Sequence, residues 1–307
     1  MNYYNEIKNE IIDIEIYKKV KDYSKNKREL EGYYKIGQLL IDAQGGKEKA
    51  KYGNKIIKEY SSMLTKELGK GYSWRNLYNM RSYYLFFSEN EILQPLATIL
   101  SWTHYSIILP LKEINKIKYY INECKKHNLG KRQLQEKIKN KEYERLDNKT
   151  KEKLIKNEET KIGDYIKKPI LIKMNEEIIT EKALKNTIIE NIEDFMKELG
   201  DGYSFIKSEY KISDCGTNNY IDILLFNYKY NCFAVVELKV TELKKEHIGQ
   251  IQTYMNYIDS NLKQITQNKT IGIIITKKDN EFVMNYCNNE YIYQTIYSTL
   301  WKGTINK

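Results

Sequence analysis

The chain has 307 residues, 41% apolar and 30% charged. That balance excludes a disordered polymer, and no apolar run approaches the roughly 18–20 residues that span a bilayer. The net charge of +10 is unevenly placed. Residues 161–307 hold 19 basic and 19 acidic side chains, so the whole excess lies in residues 1–160, with 32 basic and 22 acidic. All five arginines (Arg28, Arg75, Arg81, Arg132 and Arg145) fall in that first half. A basic half joined to a neutral half points to two domains, the first meeting a polyanion; the alternative is a solvated lysine-rich surface.

The cysteines (Cys124, Cys215, Cys232, Cys287) form no CxxC pair. The histidines (His104, His127, His247) do not cluster with them, which argues against zinc. The N-terminal stretch MNYYNEIKNEIIDIEIYKK has no apolar signal core, so a cytoplasmic address is expected.

Taken in chain order, residues 1–43 have helical periodicity, with Tyr33, Ile36, Leu39, Leu40 and Ala43 on one face. QGG at 44–46 closes that helix. A second helix is expected over 48–68, with Tyr52, Ile56, Tyr60, Met63 and Leu64 as its stripe. GKGYS makes a turn, and Ser73 caps a third helix, WRNLYNMRSYYLFF. Helix, short glycine turn, helix is a helix-turn-helix outline. Arg75, Asn76, Asn79 and Arg81 on its second helix suit phosphate and base-edge contacts, and an ordinary helical hairpin is the plainer reading. LSWTHYSIILPL starts another helix that stops near Pro110, and residues 146–162 read as a linker.

The second half changes character. Residues 181–200 form an amphipathic helix, YSFIKSEYKI a strand and DCGTNN a turn. YIDILLFNYKYNCFAVVELKV reads as a two-stranded hairpin. TELKKEHIGQIQTYMNYIDSNL is a helix, IGIIITK a buried strand, and FVMNYC and IYQTIYS are expected as final strands. The layout is α/β with a mixed sheet.

Three charges sit oddly in that hairpin. Strand alternation puts Val235, Glu237 and Lys239 on one face of AVVELKV, and Asp222 interrupts the apolar strand YIDILLF. If the strands are neighbours, the two carboxylates share a face and repel unless a divalent cation lies between them. Mg²⁺ suits one or two carboxylates, a backbone carbonyl and waters. Lys239 can orient an attacking water and steady charge on a phosphate. The plainer reading is an exposed Glu237–Lys239 pair with Asp222 at a strand edge. Gln250 lies one turn past His247 and can reach the same site; His247 itself reads as a surface residue.

With D-x(14)-ExK on a hairpin followed by a helix bearing GQ, the chain resembles the PD-(D/E)XK nuclease superfamily. More narrowly it resembles the YhcG-type PDDEXK nuclease family, through YYKIGQLLIDAQ, SWRNLYNMRSYYLFF, LSWTHYSIILPL, IIENIEDFMKELG and EHIGQIQTYMNYID, among other stretches. The resemblance implies a restriction-endonuclease-like mixed sheet flanked by helices, preceded by an all-α, helix-turn-helix-like domain. It implies Mg²⁺ or Mn²⁺ held by Asp222, Glu237 and the Leu238 carbonyl, with Lys239 catalytic and Gln250 supporting. Glu190 matches a helical acid, with Glu193 as the alternative.

The expected domains are a basic helical, nucleic-acid-binding domain at 1–150, a linker at 151–162 and a nuclease-like domain at 163–307. The expected function is metal-dependent hydrolysis of nucleic acid, DNA favoured, with no membrane partner. The alternative is a catalytically silent binding or assembly module of a defence or mobile-element system. A homodimer would supply two sites for two strands.

Overall fold

A computed structural model describes residues 3–19, 25–47, 55–90, 99–156, 158–174, 180–212 and 219–301. The chain separates into two compact units, Met1–Tyr143 and Glu144–Lys307. The expected helix start at 48–54, most of the DCGTNN turn and Cys215 lie outside the described residues.

The described part of the first unit is all helical: α1 (Tyr3–Lys19), α2 (Lys25–Ala43), α3 (Lys55–Leu68), α4 (Trp74–Glu89), α5 (Trp102–Ile108), α6 (Ile114–His127) and α7 (Lys131–Lys139). Tyr33, Ile36, Leu39 and Leu40 bury the predicted face of α2 against Ile7, Ile11, Leu77 and Met80. The α2 and α4 backbones come so close at Gly37 that a Cβ there would lie 2.2 Å from the Met80 carbonyl. In α3 the buried stripe is Ile57, Ser61 and Leu64, one residue out of phase with the expected one, and Met63 is exposed. The Ser61 hydroxyl donates to the Tyr72 carbonyl at 3.0 Å, which turns that face toward the loop before α4. Ser73 caps α4 as expected, accepting from the Asn76 amide.

The second unit holds a six-stranded mixed sheet: β1 (Ile170–Met174), β2 (Tyr203–Ile212), β3 (Asn219–Asn227), β4 (Cys232–Leu238), β5 (Ile271–Thr276) and β6 (Ile292–Trp301). Strand order is β1-β6-β5-β4-β3-β2, antiparallel across β4-β3-β2 and parallel elsewhere. One face packs on α9 (Glu181–Glu190) and α10 (Ile192–Leu199) through Leu184, Ile188, Phe195, Val236 and Ile273. The other packs on α11 (Lys245–Asn261) through Leu224, Val235, Ile251, Met255 and Ile274. Covered on both faces, β4 and β5 are buried end to end, which is why they read as continuous apolar runs. The sheet with helices on both sides, after an all-helical unit, is the expected fold class.

Four details differ from the sequence reading. The stretch 146–162 is not an open linker: α8 (Asn148–Lys156) forms there, Thr150 is buried and donates to the Asp164 carbonyl, and Lys153 pairs with Asp164 at 2.8 Å. The helix over 181–200 breaks at Asn191, whose φ of −126° leaves helical space and whose side chain donates to the Thr187 carbonyl. FVMNYC is no strand: Asn280 caps the short helix α12 (Glu281–Asn285) by accepting from the Val283 amide. Strand β1 went unanticipated, since its partner β6 lies over a hundred residues away in sequence.

Candidate active site

The four-residue connection 228–231 sets the hairpin register. Ile223 pairs with Val236 and Leu224 with Val235. Continued by one position, that register sets Asp222 opposite Glu237, on the same face as Leu224 and Val235. The two carboxylates expected to share a face therefore do.

Glu237 is 2% exposed. Its Oε1 accepts from Lys239 Nζ at 3.0 Å, while its Oε2 is buried with no hydrogen-bond partner. Asp222 is anchored on the other strand: Oδ2 accepts from the Leu238 amide at 3.0 Å, and Lys185 Nζ stands 3.7 Å from Oδ1. The Leu238 amide is thus the group joined to Asp222, whereas the expectation concerned its carbonyl. Lys239 lies just past the end of β4 and also reaches Glu181 Oε2 at 3.4 Å. Lys185 continues to Glu209 at 2.6 Å, a strand residue held at a left-handed φ of 50°.

Burial and the neighbouring Asp222 charge push the Glu237 carboxyl up to about 7, against the pull of Lys239. Burial also raises Asp222, opposed by the Leu238 amide and by Lys185 and Lys239. Desolvation alone would lower the Lys239 ammonium, but Glu237 and Glu181 outweigh it and raise it. The cluster has two cations, Lys239 on Glu237 and Glu181 and Lys185 beside Asp222, and one buried carboxylate oxygen, Glu237 Oε2, with no hydrogen-bond partner.

Helix α11 lines the other side. Gln250 donates to the Tyr254 hydroxyl at 2.8 Å, and burial, with Glu237 nearby, raises the Tyr254 phenol. His247, expected at the surface, is half-buried and feels the cluster: burial first and then Lys239 hold its imidazole low. Its Nδ1 accepts from the Lys244 amide at 3.1 Å, which leaves Nε2 to carry the ring proton in the neutral form.

Other residues singled out from the sequence sit elsewhere. Glu190 closes α9, nine residues beyond Glu181, about 13 Å along the helix axis. The helical acid that touches the cluster is Glu181. The available signal was Thr180, whose cap on the Ala183 amide marks where α9 begins. Lys185 follows one turn later, and sequence reading missed both.

In α4, Arg75 is exposed over the Trp74 ring, and Asn79 is half-buried. Asn76 is occupied, donating to the Gly71 carbonyl and accepting from the Trp102 indole. Arg81 is 7% exposed and donates to Gln44 Oε1 at 2.8 Å, so it braces α4 instead of facing outward. Of the four expected nucleic-acid contacts, the structure leaves Arg75 open to solvent.

Among the described residues no three His, Cys, Asp or Glu side chains gather closely enough to hold a metal by themselves. No described helix is long and apolar enough to cross a membrane.

Comparison with known proteins follows the same division. Residues 9–145 match the DUF1016 N-terminal domain and residues 164–306 the YhcG PDDEXK nuclease domain. The chain is 26% identical over 281 residues to "Putative nuclease YhcG" of Escherichia coli (strain K12), covering 79% of this chain and 75% of that one. Among solved structures it is similar to a repair endonuclease from Pyrococcus abyssi at 18% identity and a TM-score of 0.29, over 42% of this chain and 50% of that one. It is also similar to EndoMS in a complex with dsDNA at 17% identity and a TM-score of 0.30, over 41% of this chain and 47% of that one. The chain thus spans about half the length of those solved chains. The second half of the chain is thus homologous to the YhcG PDDEXK nuclease domain family, and the first half is similar to the DUF1016 N-terminal domain.

Proposed function

We propose that the protein hydrolyses phosphodiester bonds of nucleic acid, DNA favoured, at the Asp222–Glu237–Lys239 cluster. The observation that carries this is the buried Glu237 Oε2 without a partner, on a carboxyl that feels the charge of Asp222 on the neighbouring strand. A polar atom stranded in a core costs roughly 1–3 kcal/mol, more when charged, so a fold that keeps one has a use for it. Two carboxylates, one with a free oxygen, fit Mg²⁺ or Mn²⁺, which needs few protein ligands and keeps several waters. Asp222 and Glu237 would hold the ion, with the Leu238 carbonyl as a further donor.

The ion would polarise a phosphoryl oxygen as a Lewis acid. The chain's own groups do the rest. The Leu238 amide fixes the Asp222 carboxylate, and Lys239, pinned between Glu237 and Glu181, presents an ammonium to the water that attacks phosphorus. In the attack a P–O bond forms to that water and the bond to the leaving sugar oxygen breaks, with the water's proton passing to solvent or to that oxygen. Gln250 holds Tyr254 at the wall of the site. The basic first unit would carry the nucleic acid, with Arg75 as one contact. A cytoplasmic address remains part of this proposal, as does a homodimer for cutting both strands.

The test is cleavage of labelled DNA and RNA panels with Mg²⁺, Mn²⁺ or EDTA, using wild type, Glu237→Gln and Lys239→Met. Metal-dependent cleavage by the wild type, lost in both variants with unfolding curves intact, is the expected result. Undiminished cleavage by Glu237→Gln would refute the assignment.

A further inference from the structure

At the carboxyl end of β5 a cleft of about 440 Å³ opens between Lys245 and Ile248 of α11 and Phe282, Val283, Tyr286 and Cys287 around α12. Phe282 is 62% exposed and Tyr286 73%. Their rings stand 4.8 Å apart with planes 51° apart, forming one aromatic wall. A single exposed aromatic is unremarkable, but a pair lining a cleft is exposed apolar surface that an unliganded fold gains nothing by keeping. Among the described residues Lys245 is the one ionic group in the lining, and no described carboxylate lines it. An aromatic-walled apolar slot with one cation at its edge complements a base with its phosphate.

The cleft and the active site occupy the same edge of the sheet. Glu237 is the last residue but one of β4 and Thr276 ends β5, and the two strands are parallel. Past their ends the chains stay zipped: Lys239 donates its amide to Ile275, Lys277 to Thr241 and Leu243 to Lys278, at 2.8, 3.0 and 3.2 Å. Segment 239–243 therefore leads from the catalytic lysine toward the cleft. At 100° per residue on α11, His247 and Gln250 lie on one flank while Lys245 and Ile248 lie on the other, a helix width of about 10 Å apart. In open α/β sheets that carboxyl edge is where ligands collect.

Resting on the nuclease reading above, we infer that this cleft holds an unpaired nucleobase of the bound strand, stacked on Phe282 and Tyr286, with Lys245 on the adjoining phosphate. The substrate class is then DNA with unpaired nucleotides near the scissile bond. A base still stacked and paired within a duplex does not present its face to such a wall.

The test uses the full chain in EDTA, with fluorescence anisotropy of a labelled single-stranded oligodeoxynucleotide and of the same sequence fully paired. Phe282→Ala and Tyr286→Ala should each weaken single-strand binding about tenfold and leave duplex binding unchanged. Both side chains are solvent-facing, so folding should survive, and thermal unfolding checks it. Alkylation of Cys287, followed by peptide mapping, should slow in the presence of the single strand and not of the duplex. Unchanged single-strand affinity in both variants would overturn the inference. So would a shift in oligomeric state, seen by sedimentation, with DNA affinity intact, because the wall would then be a protein interface. Ring-dependent binding by a protein that cleaves nothing would keep the cleft and remove the nuclease reading. Cleavage lost in Glu237→Gln with ring-dependent binding retained supports both.

Discussion

Each half of the molecule holds a half-buried lysine among carboxylates, and the two clusters are finished differently. In the helical unit Lys137 Nζ meets both Glu142 oxygens at 2.9 Å and Glu123 at 3.1 Å, and the Tyr119 hydroxyl adds a donor to Glu142. Burial would lower that ammonium, yet Glu142 and Glu123 hold it raised. In the sheet unit Lys239 meets Glu237 and Glu181, and Glu237 still keeps an oxygen with nothing to bind. A cluster closed on itself belongs to the fold; one left open at a buried atom is built for something that arrives later.

The most severe way to break this contrast is to remove each lysine. Lys137→Met takes the ammonium away from Glu142 and Glu123 and should destabilise the helical unit by about 3–5 kcal/mol in urea unfolding. Lys239→Met should cut cleavage by about 10²-fold or more with a smaller loss of stability, because one of its partners, Glu181, is half solvated. Equal stability losses and intact cleavage would erase the distinction between the two clusters.

Divalent metal sharpens it next. Mg²⁺ should raise the unfolding temperature of the sheet unit and leave that of the helical unit unmoved, by the linkage of binding to folding. Glu237→Gln should abolish the shift.

Acidity gives a third measurement. The folded Glu237 pKa of about 7 lies above the usual glutamate value of 4.5, so the folded state binds its proton more tightly than the unfolded one. Its contribution to stability is complete below about pH 4.5 and is lost as pH rises through about 7. In EDTA, unfolding between those limits should show this decline, and Glu237→Gln should flatten it.

Smaller effects separate neighbours. Glu181→Ala should slow cleavage several-fold by freeing Lys239, while Glu190→Ala should not, in single-turnover assays. Arg75→Ala should lower the salt-dependence slope of DNA binding by about one unit without changing sequence preference.

Much of the site could be read from the chain because a hairpin is local. Asp222 and Glu237 lie 15 residues apart, and a tight connection between two apolar strands leaves few registers. The Ser73 cap and the α2 face were legible for the same reason. What failed depended on distant packing. Arg81 looks like an open cation until Gln44, 37 residues earlier, takes its guanidinium. FVMNYC has strand composition, and the Asn280 cap decides for helix.

By itself, then, the sequence determined the alternation of apolar strands, the helix periodicity, the concentration of positive charge in the first half and the pairing of two acids across one hairpin. Those follow from local periodicity and short-range chain closure. Tertiary structure alone decided that Glu181 and Lys185 complete the cluster, that Glu237 keeps an unsatisfied oxygen and that an aromatic wall stands at the end of β5. Each of these depends on which surfaces meet across long stretches of chain, and burial sets both the strength of charges and the cost of leaving one alone.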